Sequence, residues 1–478
     1  MEHQPDLKRV VTTGQFFALA FSGIVGVAWV TVLGGLIAQA GPFGSLTALA
    51  IGGLMIVLIV FCYAEVSTNM PAAGGEVVYA YELSGTKGSF TIGWVLALTY
   101  VSACVFEAIS LGWVISLLFP DIRGSILYEI VGEDVFAGDL VIGIVATLLL
   151  FAVNAVGTSA SARMQEAITY LRLAAMLGFV ACALLFGSPA NLTSGGGVDA
   201  GLTAHGFLAV LTAAPFMYSG FSAFATAMEE RSGSSALKAV GWALVGAVGA
   251  AILFYGLLII GISSLLPWQQ LVTLELPTAT VFRVALGAEW ITQVVLATAV
   301  LGVITAWNAL LMGGARVLLA LGRAHVLPAR FARVDKRGAP IVCLVFVTLV
   351  TIFGAFLGRG LILPIVNVTS LAFALAYAVT CLTALRLRRD GHRRDGAFAV
   401  PGGAATIRLA VLAAAGIGIV AFITPWLSPE PGIPAEFKVM VGWALLGILF
   451  WLTGRSRRAE IGEPQRRQLL VGTADNRP

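Results

Sequence analysis

Two ionisable residues stand deep inside long apolar runs: Glu107 in "CVFEAISLGW" and Arg172 in "ITYLRLAAMLGF". A charge at membrane depth is expensive, so each points to a function. A carboxyl there can carry a coupling proton, meet a cationic substrate, or serve as a hydrogen-bonded structural group. A guanidinium does not readily release its proton. Arg172 is therefore a fixed charge, unless it snorkels to the nearer interface. A second kind of chemistry belongs to the backbone. The stretch "LAFSGIVGVAWVT" (19–31) carries Ser22, Gly23 and Gly26 at its centre, and "APFMYSGFSAFATAMEE" (214–230) carries Ser219 and Gly220 with Pro215 upstream. Such residues weaken a helix. An unwound segment offers amide N–H groups at the start of one half-helix and carbonyls at the end of the other. The first suits a carboxylate and the second an ammonium, so a pair of broken helices suits an α-amino acid. Glycines can also merely let helices pack closely. Matched placement in two spans favours the broken-helix reading, because free backbone at membrane depth must line a cavity or lie inside protein.

These groups need a membrane scaffold. Of the 478 residues 58% are hydrophobic and 11% charged, and the mean hydropathy is +0.93. Soluble chains carry about 25% charged residues. The expected class is an all-α polytopic membrane protein. No Asp, Glu, Lys or Arg occurs from Val10 to Ala64, which leaves room for two spans around the turn "AGPFGS" (40–45). The first run is too long for a signal peptide and reads as a retained span. Twelve spans are expected, at 14–38, 44–67, 91–118, 139–158, 164–186, 207–228, 237–265, 291–321, 340–358, 361–385, 405–426 and 437–453. With both termini in the cytoplasm, the outer loops hold Arg123, Arg283, Arg359 and Lys438, and the inner segments hold the other 25 of the 29 basic residues. That asymmetry fixes the expected orientation in the cell (plasma or inner) membrane. The net charge of +4 lies in these cytoplasmic anchors and implies no nucleic-acid partner. The loop 119–138 is long enough for a short surface helix. No connection is long enough for a separate domain, so 1–478 reads as one membrane domain. Five spans separate the two glycine breaks, and an odd number inverts the second copy. The expected repeats are 14–186 and 207–385, followed by two helices within 405–453 and a cytoplasmic tail, 454–478.

Six motifs in order resemble the amino acid–polyamine–organocation (APC) permeases, with a LeuT-type inverted-repeat fold. They are "GIVGVAW" (23–29), "YAEVSTNMPAAGGEVVYAY" (63–81), "GWVLALTY" (93–100), "NAVGTSASARMQ" (154–165), "MYSGFSAFATAMEE" (217–230) and "ARVLLALGRAHVLPARFARV" (315–334). The resemblance runs from about residue 10 to 390. It implies that the substrate carboxylate meets amides around Gly26, Val27 and Ala28. The ammonium meets carbonyls near Ile24, Met217, Tyr218 and Ser219, beside Gly220, and Phe216 matches an aromatic gate. Val27 and Ala28 stand where the family commonly has serine and glycine, which favours a small substrate. Arg172, eighteen residues after Asn154, matches a basic residue that stands in for sodium. Glu107 matches no family-wide position; the family's helix-three glutamate is replaced here by Thr99. The two charges are expected to differ in depth by roughly 10 Å, which argues against a direct ion pair. Glu65, Glu76, Glu229, Glu230 and Arg316 lie near cytoplasmic span ends, as an inner gate or as interfacial caps.

The resulting expectation is a secondary transporter of L-amino acids that works by alternating access, proton-coupled and sodium-independent. Its partners would be the amino acid, protons and the bilayer. Amino acid exchange and polyamine or organic amine transport are alternatives, and a nutrient sensor is a remote one. Five dispersed cysteines and four scattered histidines predict neither a disulfide framework nor a metal site, and no cofactor is expected. Enzyme motifs such as HExxH and GxSxG are absent, as is a P-loop. Neither a repeated filter loop nor a ring of like charges suggests a channel.

Overall fold

A computed structural model describes residues 12–70, 75–156, 162–194, 201–222, 228, 231–232, 235–336, 338–391, 394–427 and 432–471. The chain starts as α1 (Thr13–Ile24), α2 (Ala28–Thr31), α3 (Leu33–Asn69) and α4 (Glu76–Leu118). After β1 (Ile126–Ile130) and β2 (Glu133–Phe136) come α5 (Ala137–Val156), α6 (Ala162–Phe186), α7 (Pro189–Leu192) and α8 (Ala204–Met217). Then follow α9 (Leu237–Leu265), α10 (Trp268–Leu271), α11 (Pro277–Leu286), α12 (Glu289–Arg323) and α13 (Ile341–Ala355). The last elements are α14 (Ile362–Arg389), α15 (Ala404–Ile423), α16 (Ala435–Thr453), α17 (Arg455–Arg458) and α18 (Glu463–Val471).

Among the described residues, ten helical segments are long and apolar enough to cross a membrane, with α1 and α2 counted together, and α8 and α13 are shorter apolar helices. The protein is thus an all-helical polytopic membrane protein. The local signals behave as their chemistry dictates. Thr12 and Gln15 form a reciprocal cap at the start of α1: the Gln15 N–H donates to Thr12 Oγ1 and the Thr12 N–H to Gln15 Oε1. The expected turn at 40–45 is a sharp bend within α3. Gly41 takes φ 67°, and Pro42 follows, so two helices join there rather than one running through. In α4 a second bend falls at Ser84 and Gly85, so 76–83 forms a helical segment ahead of the expected span.

One expectation needs correction. The loop 119–138 holds no surface helix beyond a single 3₁₀ turn at Pro120–Ile122; β1 and β2 pair antiparallel as a hairpin. Its alternation of β-branched and aromatic residues outweighed its length as a signal. In the span expected at 207–228, helix α8 ends at Met217, next to the Ser219–Gly220 break that the sequence marks, and residues 223–227 lie outside the described residues.

The core sits around α4, which packs against α5, α12, α13 and α14, while α3 packs on α8 and α9. Bulky side chains fill it: Trp29, Trp307, Tyr63, Tyr218, Tyr255 and Tyr377 are fully buried. The perimeter is inverted relative to a soluble protein. Leu149, Leu185, Phe353 and Leu412 face outward, as a lipid-facing surface requires.

Candidate functional site

The first helix comes apart where its glycines stand. α1 ends at Ile24, residues 25–27 are non-helical, and α2 begins at Ala28. The amides of Gly26, Val27 and Ala28 donate to no group among the described residues. The second break begins after Met217, where Gly220 takes φ 93°. The two breaks touch. A Cβ on Gly220 would lie 2.3 Å from the carbonyl carbon and oxygen of Gly23, and one on Gly23 would lie 2.9 Å from the Gly220 oxygen. Only two glycines let these backbones cross at such range. The carbonyls of Met217, Tyr218 and Ser219 accept no hydrogen bond among the described residues, while the Ile24 carbonyl accepts from Tyr255 Oη at 3.4 Å. Phe216 is buried, its ring edge-on to Phe106 at 4.8 Å, and its N–H donates to Ser370 Oγ.

Both membrane charges converge on this crossing. Arg172 on α6 is only 3% exposed. Its Nη2 donates to the Val25 carbonyl at 2.5 Å and to that of Gly26 at 3.3 Å, and its Nη1 reaches Thr305 Oγ1 at 3.3 Å and Ser22 Oγ at 3.5 Å. A cation at the C-terminal end of α1 meets the negative end of the helix dipole. Gly302 makes room for it, since a Cβ there would sit 2.6 Å from Nη2. Arg172 therefore does not snorkel. Glu107 on α4 reaches the same segment: its Oε1 lies 3.3 Å from where a Gly26 Cβ would stand. Its Oε2 is buried without a hydrogen-bond partner. The expected difference in depth closes, because both side chains reach Gly26. Among the described residues no ion pair joins them; Arg172 Nη2 is held by the Val25 and Gly26 carbonyls instead.

The residues named for an inner gate behave differently. Glu65 is fully buried and held by Arg388, whose Nε and Nη2 donate to Oε1 at 2.7 Å and Oε2 at 2.6 Å, while the Val400 N–H donates to Oε2 at 2.6 Å. Glu76 accepts from Tyr63 Oη at 3.0 Å. Arg316 is exposed on α12. Glu229 and Glu230 lie outside the described residues.

Sequence reasoning missed a cluster at the opposite end of the bundle. Glu275, between α10 and α11, accepts from Arg123 Nη2 at 2.5 Å, Arg359 Nη1 at 2.6 Å and Trp113 Nε1 at 2.8 Å. Arg359 also pairs with Glu133 of β2 at 2.7 Å, and the Arg123 guanidinium stacks over Phe136 at 4.2 Å. Burial works against the charge on Glu275. The hydrogen bonds from Arg123 and Trp113 and the charges of Arg123 and Arg359 nonetheless hold its carboxyl below the usual range. The available signal was its solitude: it is the only acid between Glu230 and Glu289. Just after it, Pro277 of α11 packs on Gly34 of α3, where a Cβ would come within 2.5 Å. The clamp thus pins a cap against the continuation of the first broken helix.

The sequence also left the tail without structure, yet α18 is docked. Arg466 is only 3% exposed and donates to the carbonyls of Ala324 and Arg458, while Tyr81 Oη donates to Glu463 Oε2.

Known proteins resemble the chain along most of its length. The amino-acid permease RocC of Bacillus subtilis is 25% identical over 354 residues, 71% of each chain. The γ-aminobutyric acid permease of the same organism is 25% identical over 402 residues, 81% of each. The histidine permease HisP of Lactococcus lactis is 25% identical over 412 residues, 81% of this chain and 82% of that one. These relatives are transporters, not enzymes. A family model described as amino acid permease matches residues 12–452, and the chain belongs to that family.

Proposed function

We propose that the protein is a secondary active transporter that moves L-amino acids across the cell membrane by alternating access, coupled to protons and independent of sodium. The observation that carries this reading is the meeting of the two helix breaks at Gly23 and Gly220, with Arg172 and Glu107 both reaching residues 25–27. The free amides of Gly26, Val27 and Ala28 take the substrate carboxylate. The carbonyls of Met217, Tyr218 and Ser219, which accept no hydrogen bond among the described residues, take its ammonium, and Phe216 closes over it. Arg172 supplies at the end of α1 the positive charge that a sodium ion would otherwise bring. Glu107, with an unpartnered oxygen, carries the proton.

In this reading the fold has twelve spans in a LeuT-type 5+5 inverted repeat, with both termini cytoplasmic. α8 and α13 supply the two shortest spans. The clamp at Glu275 then faces outside, and the pair Glu65–Arg388 faces the cytoplasm. Rocking the broken helices exposes the crossing to one side at a time, because both rims cannot open together.

The test is uptake into proteoliposomes of a panel of labelled amino acids, by counterflow and then under imposed gradients. Counterflow of at least one amino acid, stimulated by an inward proton gradient and unaffected by sodium, is expected. Stimulation by sodium would remove the role given to Arg172. Dependence on internal substrate alone would make the protein an exchanger. Transport unaltered by E107Q would take the proton from Glu107.

A further inference from the structure

We infer that Glu107 and Arg172 fix the net charge of the transported load at one positive unit, so that a zwitterionic amino acid crosses with one proton and a substrate with an extra ammonium crosses without one. The inference rests on the transporter reading above and adds its substrate class and its stoichiometry.

The geometry carries it. Around residues 25–27 the described side chains supply one cation and one carboxyl, each at least nine-tenths buried. The cation is held in place: Arg172 Nη2 donates to the carbonyls of Val25 and Gly26 and Nη1 reaches Thr305, although its Nε has no partner. The carboxyl is not, because Glu107 Oε2 has no partner, while Oε1 lies against Gly26. The titratable groups that act on this pair are Tyr255 of α9, which faces Arg172, and Cys104 one turn before Glu107 on α4. Both are neutral groups under working conditions. The charge balance therefore depends on Glu107 and on what binds.

A zwitterion brings its carboxylate to the amides of Gly26, Val27 and Ala28, directly beside Oε1. Two carboxylates at contact range do not both stay ionised unless a further cation neutralises one of them. The zwitterion therefore enters with a proton on Glu107, and the load carries charge +1. A lysine-like substrate brings a second ammonium. That group can donate to the free Oε2 of an ionised Glu107 as a charge-assisted hydrogen bond, and no proton is needed. The load is again +1. An unpaired charge in this setting would be strongly disfavoured, which makes the rule strict.

The experiment uses the full-length protein in proteoliposomes with an entrapped pH dye, and alanine and lysine as probes. Alanine uptake should acidify the lumen by one proton per molecule. Lysine should enter with the same charge movement and without acidification. Equal proton movement with both probes would overturn the rule, and so would uptake of alanine with proton but rejection of lysine, arginine and ornithine. Neither outcome touches the reading as an amino acid transporter, which fails if no amino acid exchanges at all. In E107Q, alanine uptake should lose its dependence on the proton gradient and lysine uptake should fall at least tenfold. Retained lysine uptake would overturn the proposal. The stoichiometry of the unaltered protein decides the matter even where the variant does not fold.

Discussion

Two carboxylates at two depths are treated in opposite ways. Glu275, at the rim, is saturated by two arginines and a tryptophan, although it is a third exposed. Glu107, at the crossing of the breaks and almost wholly buried, has one oxygen with no partner. Desolvation alone would assign the partners the other way, since the deeper charge needs them more. The difference separates two tasks. A carboxylate that ties elements together must stay ionised, so it is surrounded by donors. A carboxylate that changes its proton or its partner must be left one open position. Glu65, fully buried yet held by Arg388 and Val400, belongs with Glu275 despite its depth.

Substitutions can break this contrast, and their effects should fall in a definite order. The largest is expected at the crossing itself. Gly220→Ala adds a methyl 2.3 Å from the Gly23 backbone at a residue with positive φ. Transport should drop below a hundredth of the wild type, or the folded protein should be lost from detergent extracts; uptake together with size-exclusion profiles checks this. Arg388→Ala comes next. It leaves Glu65 buried with only the Val400 amide as partner, and removal of one member of a buried pair costs about 3 kcal/mol. Thermal unfolding in detergent should show a clear fall in Tm, and an unchanged Tm would show that water replaces the guanidinium.

Glu275→Gln is milder, because the site is partly hydrated. A loss of about 1 kcal/mol is expected, with Tm lower by a few degrees. Substrate binding should weaken less than in variants of the crossing, if the clamp only ties the rim. The smallest effect is a change in pH profile. Glu275 is held below the usual carboxylate range, so its contribution is present above the unfolded-state value and is lost as pH falls through its folded value. The wild type should therefore lose stability on the acid side, and E275Q should show a flatter acid limb. Parallel Tm profiles between about pH 3 and 6 would remove Glu275 from the linkage.

How much of this was legible in the sequence depends on the range of each interaction. The breaks were, because Gly23, Gly26 and Gly220 act on their own backbone. Arg172 and Glu107 also stood out, since any charge in an apolar run does. What did not emerge is that both arrive at Gly26. That follows from how α4 and α6 sit around α1, and rise per residue along idealised parallel helices put them at different depths. The clamp was hidden for the same reason. Its members are Trp113 near the end of α4 and Arg123, Glu275 and Arg359 from three separate connections, and only the packed bundle brings them together. Arg123 and Arg359 were noticed only as charges that orient the chain. The hairpin was missed because length was weighed above alternation.

The docked helix α18 has a consequence for how the protein is made. It is synthesised after everything it grips. Tyr81, which donates to Glu463, precedes it by 382 residues. At 5–20 residues per second, roughly 20–80 s separate the two on the ribosome. By the end of that interval every span has been made, yet until α18 follows, the ends of α4 and α12 have no clasp. Burial of Arg466 against Ala324 thus follows synthesis of all the spans it helps to fasten.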